Sequence, residues 1–287
     1  MFAAASLLAA GAAARAQTRR WVLGPVEMKG KQVPMMGPYI LKSLEFEKPG
    51  WVRRFKTVVL DREKKPVEDS TVFCHATFRM AERFRNLGRT LTVSEGFNEI
   101  AFPEGFGLPV DAGEKHAFNL MLQSDGPEHD GMYYFDVTVD MVERGGPEKL
   151  KSLIFRLIDI TSFVDQEDAI PMPGMPLEWW VPPGKHVYRQ KFSQITSERV
   201  HYMSAHIHRY GTGYRLMHPA SGTILFDGKT VQDGARRLEG VSDYSSVEGI
   251  LLREGEEYEF SVFYDNPLKT NIAAMGTLSL FARPEAP

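Results

Sequence analysis

Apolar and polar residues alternate in short runs along most of the chain. The runs at 72–78, 118–123, 133–142, 199–208, 213–218, 223–226, 258–264 and 276–282 are rich in Val, Ile, Tyr, Phe and Thr. Clusters of Gly, Pro, Asp and Asn separate them. Branched and aromatic side chains suit a pleated, half-buried surface, and the separators suit turns, so each run predicts a strand. Helical periodicity is scarce. The best helix candidate covers residues 148–157, and even there 152–160 also admits a strand. Many short strands between turn signals predict an all-β protein of antiparallel β-sandwiches.

One segment breaks the pattern. Asp165-Gln166-Glu167-Asp168 is acidic, and Pro171-Met172-Pro173-Gly174-Met175-Pro176 follows it. Proline stiffens a chain and blocks strand pairing, which predicts a linker at 165–176. It divides the chain into an N-terminal sandwich at 17–164 and a C-terminal sandwich at 177–287, two tandem jelly-roll-like domains. At the N-terminus, residues 2–14 form a small-residue and apolar run, and Ala14-Arg15-Ala16 precedes Gln17. This resembles the apolar region and cleavage site of a secretory signal peptide, which predicts removal of 1–16 and a secreted or periplasmic location.

Composition narrows the classes. A chain of 287 residues with 43% hydrophobic and 25% charged residues has the size and balance for two soluble domains. The net charge of −3 is small, and no Lys/Arg cluster is interleaved with aromatics, which argues against a nucleic-acid partner. No apolar stretch reaches the roughly 18 residues of a membrane-spanning helix. Cys74 is the only cysteine, so no intrachain disulfide forms. Its thiol is either a small buried hydrophobe or a soft metal ligand. No phosphate-binding glycine loop and no Gly-x-Ser-x-Gly nucleophile turn is present.

The strongest chemical signal lies in Val200-His201-Tyr202-Met203-Ser204-Ala205-His206-Ile207-His208. Strand residues two apart project from one face, so His206 and His208 aim two imidazoles at one place while His201 faces the other way. Such a pair suits a transition metal without specifying which. Met275, in Ala274-Met275-Gly276-Thr277-Leu278, offers a soft thioether. A methionine in an apolar strand ordinarily packs a core. With two imidazoles, however, it makes a set suited to a copper ion that cycles between oxidation states.

Pro182-Pro183-Gly184, then residues 200–211 and Gly213-Tyr214-Arg215-Leu216, then Met275-Gly276-Thr277-Leu278 resemble the C-terminal domain of the type II copper, ascorbate-dependent monooxygenases. Those are the peptidylglycine α-hydroxylating and dopamine β-monooxygenases. The resemblance spans about residues 177–281. It implies two jelly-roll domains with one copper in each, facing a solvent-filled cleft. It also implies an oxygen-activating copper on His206, His208 and Met275, an external reductant, and hydroxylation of a small-molecule or peptide substrate.

The N-terminal half departs from the family pattern. Phe73-Cys74-His75 stands where a pair of histidines is expected. Neighbouring strand residues face opposite ways, so Cys74 and His75 can share one ion only across a bulge or twist. In Phe118-Asn119-Leu120-Met121-Leu122, Met121 occupies the place of a third histidine, with His116 and His129 flanking as loop alternatives. His75, Met121 and Cys74 are thus the first-half ligand candidates. Three functions stand open: an exported copper monooxygenase, a non-catalytic copper-binding or copper-handling protein with a degenerate first site, and an adhesion or carbohydrate-binding sandwich.

Overall fold

The computed structural model describes residues 17–31, 38–68, 70–80, 91–124, 126–146, 148–161, 169–172 and 177–285. The signal peptide expected at 1–16 and most of the linker expected at 165–176 lie outside the described residues. The chain is all-β. Among the described residues there is no α-helix, and two short 3-10 turns at Ser70–Val72 and Pro127–His129 interrupt the strands.

The N-terminal half builds two sheets. The first runs β1 (Gln17–Met28), β9 (Gly131–Glu143), β3 (Gly50–Leu60), β7 (Phe106–Val110), β10 (Lys151–Ser152), with β6 (Glu99–Ala101) also on β3. The second runs β2 (Tyr39–Glu45), β8 (Lys115–Leu122), β4 (Phe73–Met80), β5 (Leu91–Ser94). Every second residue of β8 and β4 turns inward, and there the aromatics meet across the sheets. Phe55 of β3 stacks on Phe118 of β8 at 6.1 Å between centroids, and Phe73 of β4 meets Phe135 of β9 at 6.3 Å.

The C-terminal half repeats the scheme. One sheet runs β12 (Ile170–Pro171), β13 (Glu178–Val181), β21 (Ile272–Pro284), β15 (Glu198–Ile207), β19 (Tyr244–Leu252), with β11 (Ile154–Asp159) also on β21. The other runs β14 (Gly184–Ser193), β20 (Glu257–Asn266), β16 (Gly211–His218), β17 (Thr223–Gln232), β18 (Leu238–Val241). Trp179 of β13 spans the gap between them, 5.1 Å from Tyr188 and 6.4 Å from Tyr264.

Two segments differ from the expectation. The helix considered at 148–157 does not form. β11 instead lies along β21 from Ile154 opposite Ala282 to Asp159 opposite Thr277. A ten-residue helix is marginal without tertiary support, whereas the ladder satisfies the backbone of an Ile/Phe/Leu-rich segment at once. β11 precedes the expected linker yet belongs to a C-terminal sheet. Within the linker, Ile170 and Pro171 pair with Trp180 and Trp179. β12 is an edge strand, the position where a residue without an N–H is tolerated.

β15 is buried on both faces. Met203, Ala205 and Ile207 enter the C-terminal core, and the opposite face docks on the N-terminal half. There Phe102 lies 5.5 Å from Tyr202 and 4.9 Å from Phe281. A second contact joins two hairpins: Leu238 N–H donates to Glu95 Oε1 at 3.2 Å, and Val241 N–H donates to the Gly96 carbonyl at 3.0 Å. Gly96 has φ +70°, and a Cβ there would stand 2.9 Å from Leu238 Cβ, so this approach requires glycine.

His116, expected in a loop, lies inside β8 and faces the N-terminal core. It stacks on Phe78 at 4.8 Å and meets Phe46 edge-on at 5.1 Å. Burial lowers its imidazole to about 4, with Asp111 pulling weakly upward. The unfolded chain therefore binds the proton that the folded chain refuses. This share of stability is complete above the unfolded value near 6.5 and is lost as pH falls towards 4, up to about 3 kcal/mol. His116→Phe keeps the stack and removes the titration. Urea denaturation at pH 7.5 and 4.5 is expected to show a smaller acid loss in this variant than in the parent.

Candidate metal centre

Opposed residues of an antiparallel ladder share a face, and neighbours along a strand alternate. On β15 and β21, Tyr202 stands opposite Phe281, Ser204 opposite Ser279 and His206 opposite Thr277. All six turn towards the N-terminal half. His208 follows the end of β15 in the same phase, its ring centroid 5.1 Å from that of His206. Met275 precedes Thr277 by two residues on β21 and shares the face. The three expected ligands of the second half therefore lie on one surface.

A hydroxyl from the opposite sheet holds this end of the surface together. Tyr264 Oη donates to the Met275 carbonyl at 2.7 Å and accepts from the His208 N–H at 3.0 Å and the Met275 N–H at 3.3 Å. The backbones that carry His208 and Met275 are thus tied to a single buried group. Burial lowers His208 to about 4 against a small opposing effect of the Ala273 backbone, so its imidazole is neutral at pH 7. Among the described residues, neither ring nitrogen of His208 reaches a hydrogen-bond partner of normal geometry.

The N-terminal candidates meet the same surface. The β4–β8 ladder shifts register between Phe73 and His75, which makes Cys74 a bulge residue. His75 then faces outward opposite Met121 of β8 and Ser94 of β5. Its ring centroid lies 6.2 Å from that of His206. The bulge also brings Cys74 Sγ to 3.3 Å from His75 Nδ1, the condition the sequence set for the two to act together. His75, Met121, His206, His208 and Met275 are all buried. The implied picture of two sites across a solvent-filled cleft is therefore not what these residues form. The outer faces of the two halves are in contact, and they bring His75 near His206.

The other histidines stand apart. His201, expected on the opposite face, packs on Phe106 of β7 at 4.0 Å. The ladders of β15 shift register between Val200 and Tyr202, so the bulge turns His201 and Tyr202 to the same half. Burial lowers its imidazole, partly offset by the Ser246 carbonyl. His218 sits at a surface turn, 2.8 Å from Ser221 Oγ, and His129 Nδ1 lies 3.2 Å from Ser124 Oγ.

Glu178 escaped the sequence reading. It stands opposite Met275 on β13, and because its neighbour Trp179 enters the core, Glu178 turns to the metal-candidate face. It is 3% exposed, and burial raises its carboxyl to about 7. The signal was present as one acid within Leu177-Glu178-Trp179-Trp180-Val181. Among the described residues, no group of three or more His, Cys, Asp or Glu side chains could hold a metal ion. Met275 brings a side chain of another kind, a thioether, to the same face as His206.

The sequence matches no protein-family model and no curated protein. Among solved structures the chain is similar to PNGase F, a glycosylasparaginase from Flavobacterium meningosepticum, with 8% identity and a TM-score of 0.44 over 94% of this chain and 97% of that one. It is similar to PNGF-II with 7% identity and a TM-score of 0.37 over 93% of this chain and 65% of that one. The Macrobrachium rosenbergii nodavirus structure is matched with 9% identity and a TM-score of 0.22 over 99% of this chain and 96% of that one. Likenesses this distant do not bear on function.

Tyr264→Phe leaves the ring and removes three backbone hydrogen bonds. Buried groups left without partners cost about 1–3 kcal/mol, and urea denaturation of the variant is expected to show a loss of that size.

Proposed function

We propose that the protein binds copper between its two halves, with His206, His208 and Met275 as ligands. The observation that carries this reading is their common buried face, on which His208 is neutral. Two imidazoles and a thioether suit copper in either oxidation state. Copper, when bound, supplies one-electron chemistry. The chain's own residues hold the ligands through Tyr264, exclude water by docking one half on the other, and keep His208 unprotonated.

Cys74, His75 and Met121 lie on the facing surface of the N-terminal half, with the His75 ring 6.2 Å from that of His206. This favours one shared centre over a copper in each half, and so a copper-binding or copper-handling protein over a two-copper monooxygenase. An exported protein of two tandem jelly-roll-like domains, processed after residue 16, is part of the same proposal. The monooxygenase reading is supported by the sequence resemblance over about residues 177–281. It requires a second copper, an external reductant and access for a small-molecule or peptide substrate.

Metal analysis after reconstitution decides between them. One copper per chain, lost in His206→Ala, with no ascorbate-driven oxygen consumption, is the expected result. Two coppers with ascorbate-driven consumption favour the monooxygenase. No copper, with His206→Ala without effect, overturns both. Met275→Leu is expected to weaken Cu(I) binding by about tenfold or more and Cu(II) binding less, because the thioether favours the softer ion.

A further inference from the structure

The sheet of β14, β20, β16, β17 and β18 covers the C-terminal core with one face. Its other face points away from the docked sheet that carries the copper candidates. On β20, Val262 and Tyr264 are buried in the core, so Phe263 between them turns outward. Val187, Phe263, Gly213 and Lys229 stand in one row across β14, β20, β16 and β17. A depression of about 480 Å³ opens on this row, lined also by Lys185 and Arg215. That volume lies within the range of small-ligand sites, roughly 300–1,000 Å³. Gly213 keeps it open. A Cβ there would stand 2.6 Å from the Gly228 carbonyl oxygen, so the place across from Phe263 stays free of a side chain.

Charge on this face is uneven. Further along it, Arg189 pairs with Glu259 at 3.4 Å and Lys191 with Glu257 at 3.2 Å. Around the depression, cations outnumber their acids. Arg215 Nε and Lys229 Nζ share one carboxylate, Asp227, at 3.0 and 2.5 Å. Asp265, opposite Lys185, is taken by Arg236 at 3.0 Å. Lys185 makes no ion pair among the described residues. The Arg215 guanidinium lies 5.3 Å from the centroid of the Phe263 ring. A bare anion would leave the ring unused, and a neutral sugar would leave the surplus charge unused. A pyranose with an acidic group uses both, its C–H face on the aromatic ring and its acid on the planar fork of arginine. Lys185 and Lys229 are three strands apart, about 14 Å across the sheet. That exceeds the reach of one sugar ring and favours a short chain of them.

We infer that this face binds an acidic oligosaccharide, with one sugar ring on Phe263 and acidic groups meeting Arg215 and Lys229 on one side and Lys185 on the other. The site stands apart from the copper reading and does not depend on it. The test is calorimetric titration of the full chain with oligogalacturonate, a sulfated dextran oligomer, a neutral dextran oligomer and a DNA duplex. An acidic oligomer is expected to bind at least about tenfold tighter than the neutral one, and more weakly as added salt screens the charges. The tighter of the carboxylated and sulfated probes identifies the acidic group. Phe263→Ala and Arg215→Ala are each expected to weaken binding by about tenfold. Lys185→Ser, at an exposed position, is expected to weaken it by about threefold and repeats the test if either of the others folds poorly. No binding of either acidic oligomer, equal affinity for the neutral one, or binding unchanged in all three variants overturns the inference. DNA bound as tightly as the sugars and indifferent to Phe263→Ala also overturns it, since charge alone would then account for the affinity.

Discussion

The hydroxyl of Tyr264 governs the geometry at the centre of this molecule. A buried hydroxyl is costly unless it is hydrogen-bonded, and this one meets three backbone groups. It sets the spacing between the end of β15 and the start of the shared stretch of β21, so His208 and Met275 hold their facing. Gly276 lets β21 come close to the opposite sheet there. A Cβ at that position would stand 2.9 Å from Ile160 Cδ1 and 3.1 Å from Val262 Cγ1. The residue after Met275 must therefore be small for the tyrosine to reach across.

The two halves dock through a mixed surface. Phe102 between Tyr202 and Phe281 anchors it with aromatic area, while Ser204, Ser279, Thr277 and the histidines make the rest polar and buried. Such a surface is expensive to desolvate unless its groups find partners. Hydrogen bonds from the β18 hairpin to Glu95 and Gly96 satisfy some of them. The polar face of each half is thereby built to meet the other.

Much of this was legible in residue pattern. Alternation marked the strands around 73–80, 115–122, 198–207 and 272–284, and parity placed His206 with His208. β11 was legible as one of two readings, since 152–160 suited a strand as well as a helix, and its ladder with β21 decides for the strand. Other features were not legible. His116 read as a loop residue because nothing in sequence shows that β8 begins one residue before it. Glu178 and the meeting of His75 with His206 depend on which outer faces dock, and docking is a property of whole surfaces rather than of local periodicity.

The bulges at Cys74 and His201 carry a further meaning. Each adds one residue to a strand without lengthening the ladder beside it, and so resets which way every later side chain points. Around Cys74 the count is what turns His75 to the docked face and Ala76 and Phe78 to the core. A substitution at Cys74 changes the chemistry next to His75 and leaves this phase intact. Removing Cys74 would leave plain alternation, with Phe73 inward and His75 still opposite Met121, whereas adding one residue to the regular stretch would turn the imidazole inward and an aromatic ring outward. The site is thus recorded in the number of residues between anchors as much as in their kind, and chains that keep every histidine but differ by a single insertion here would not share it.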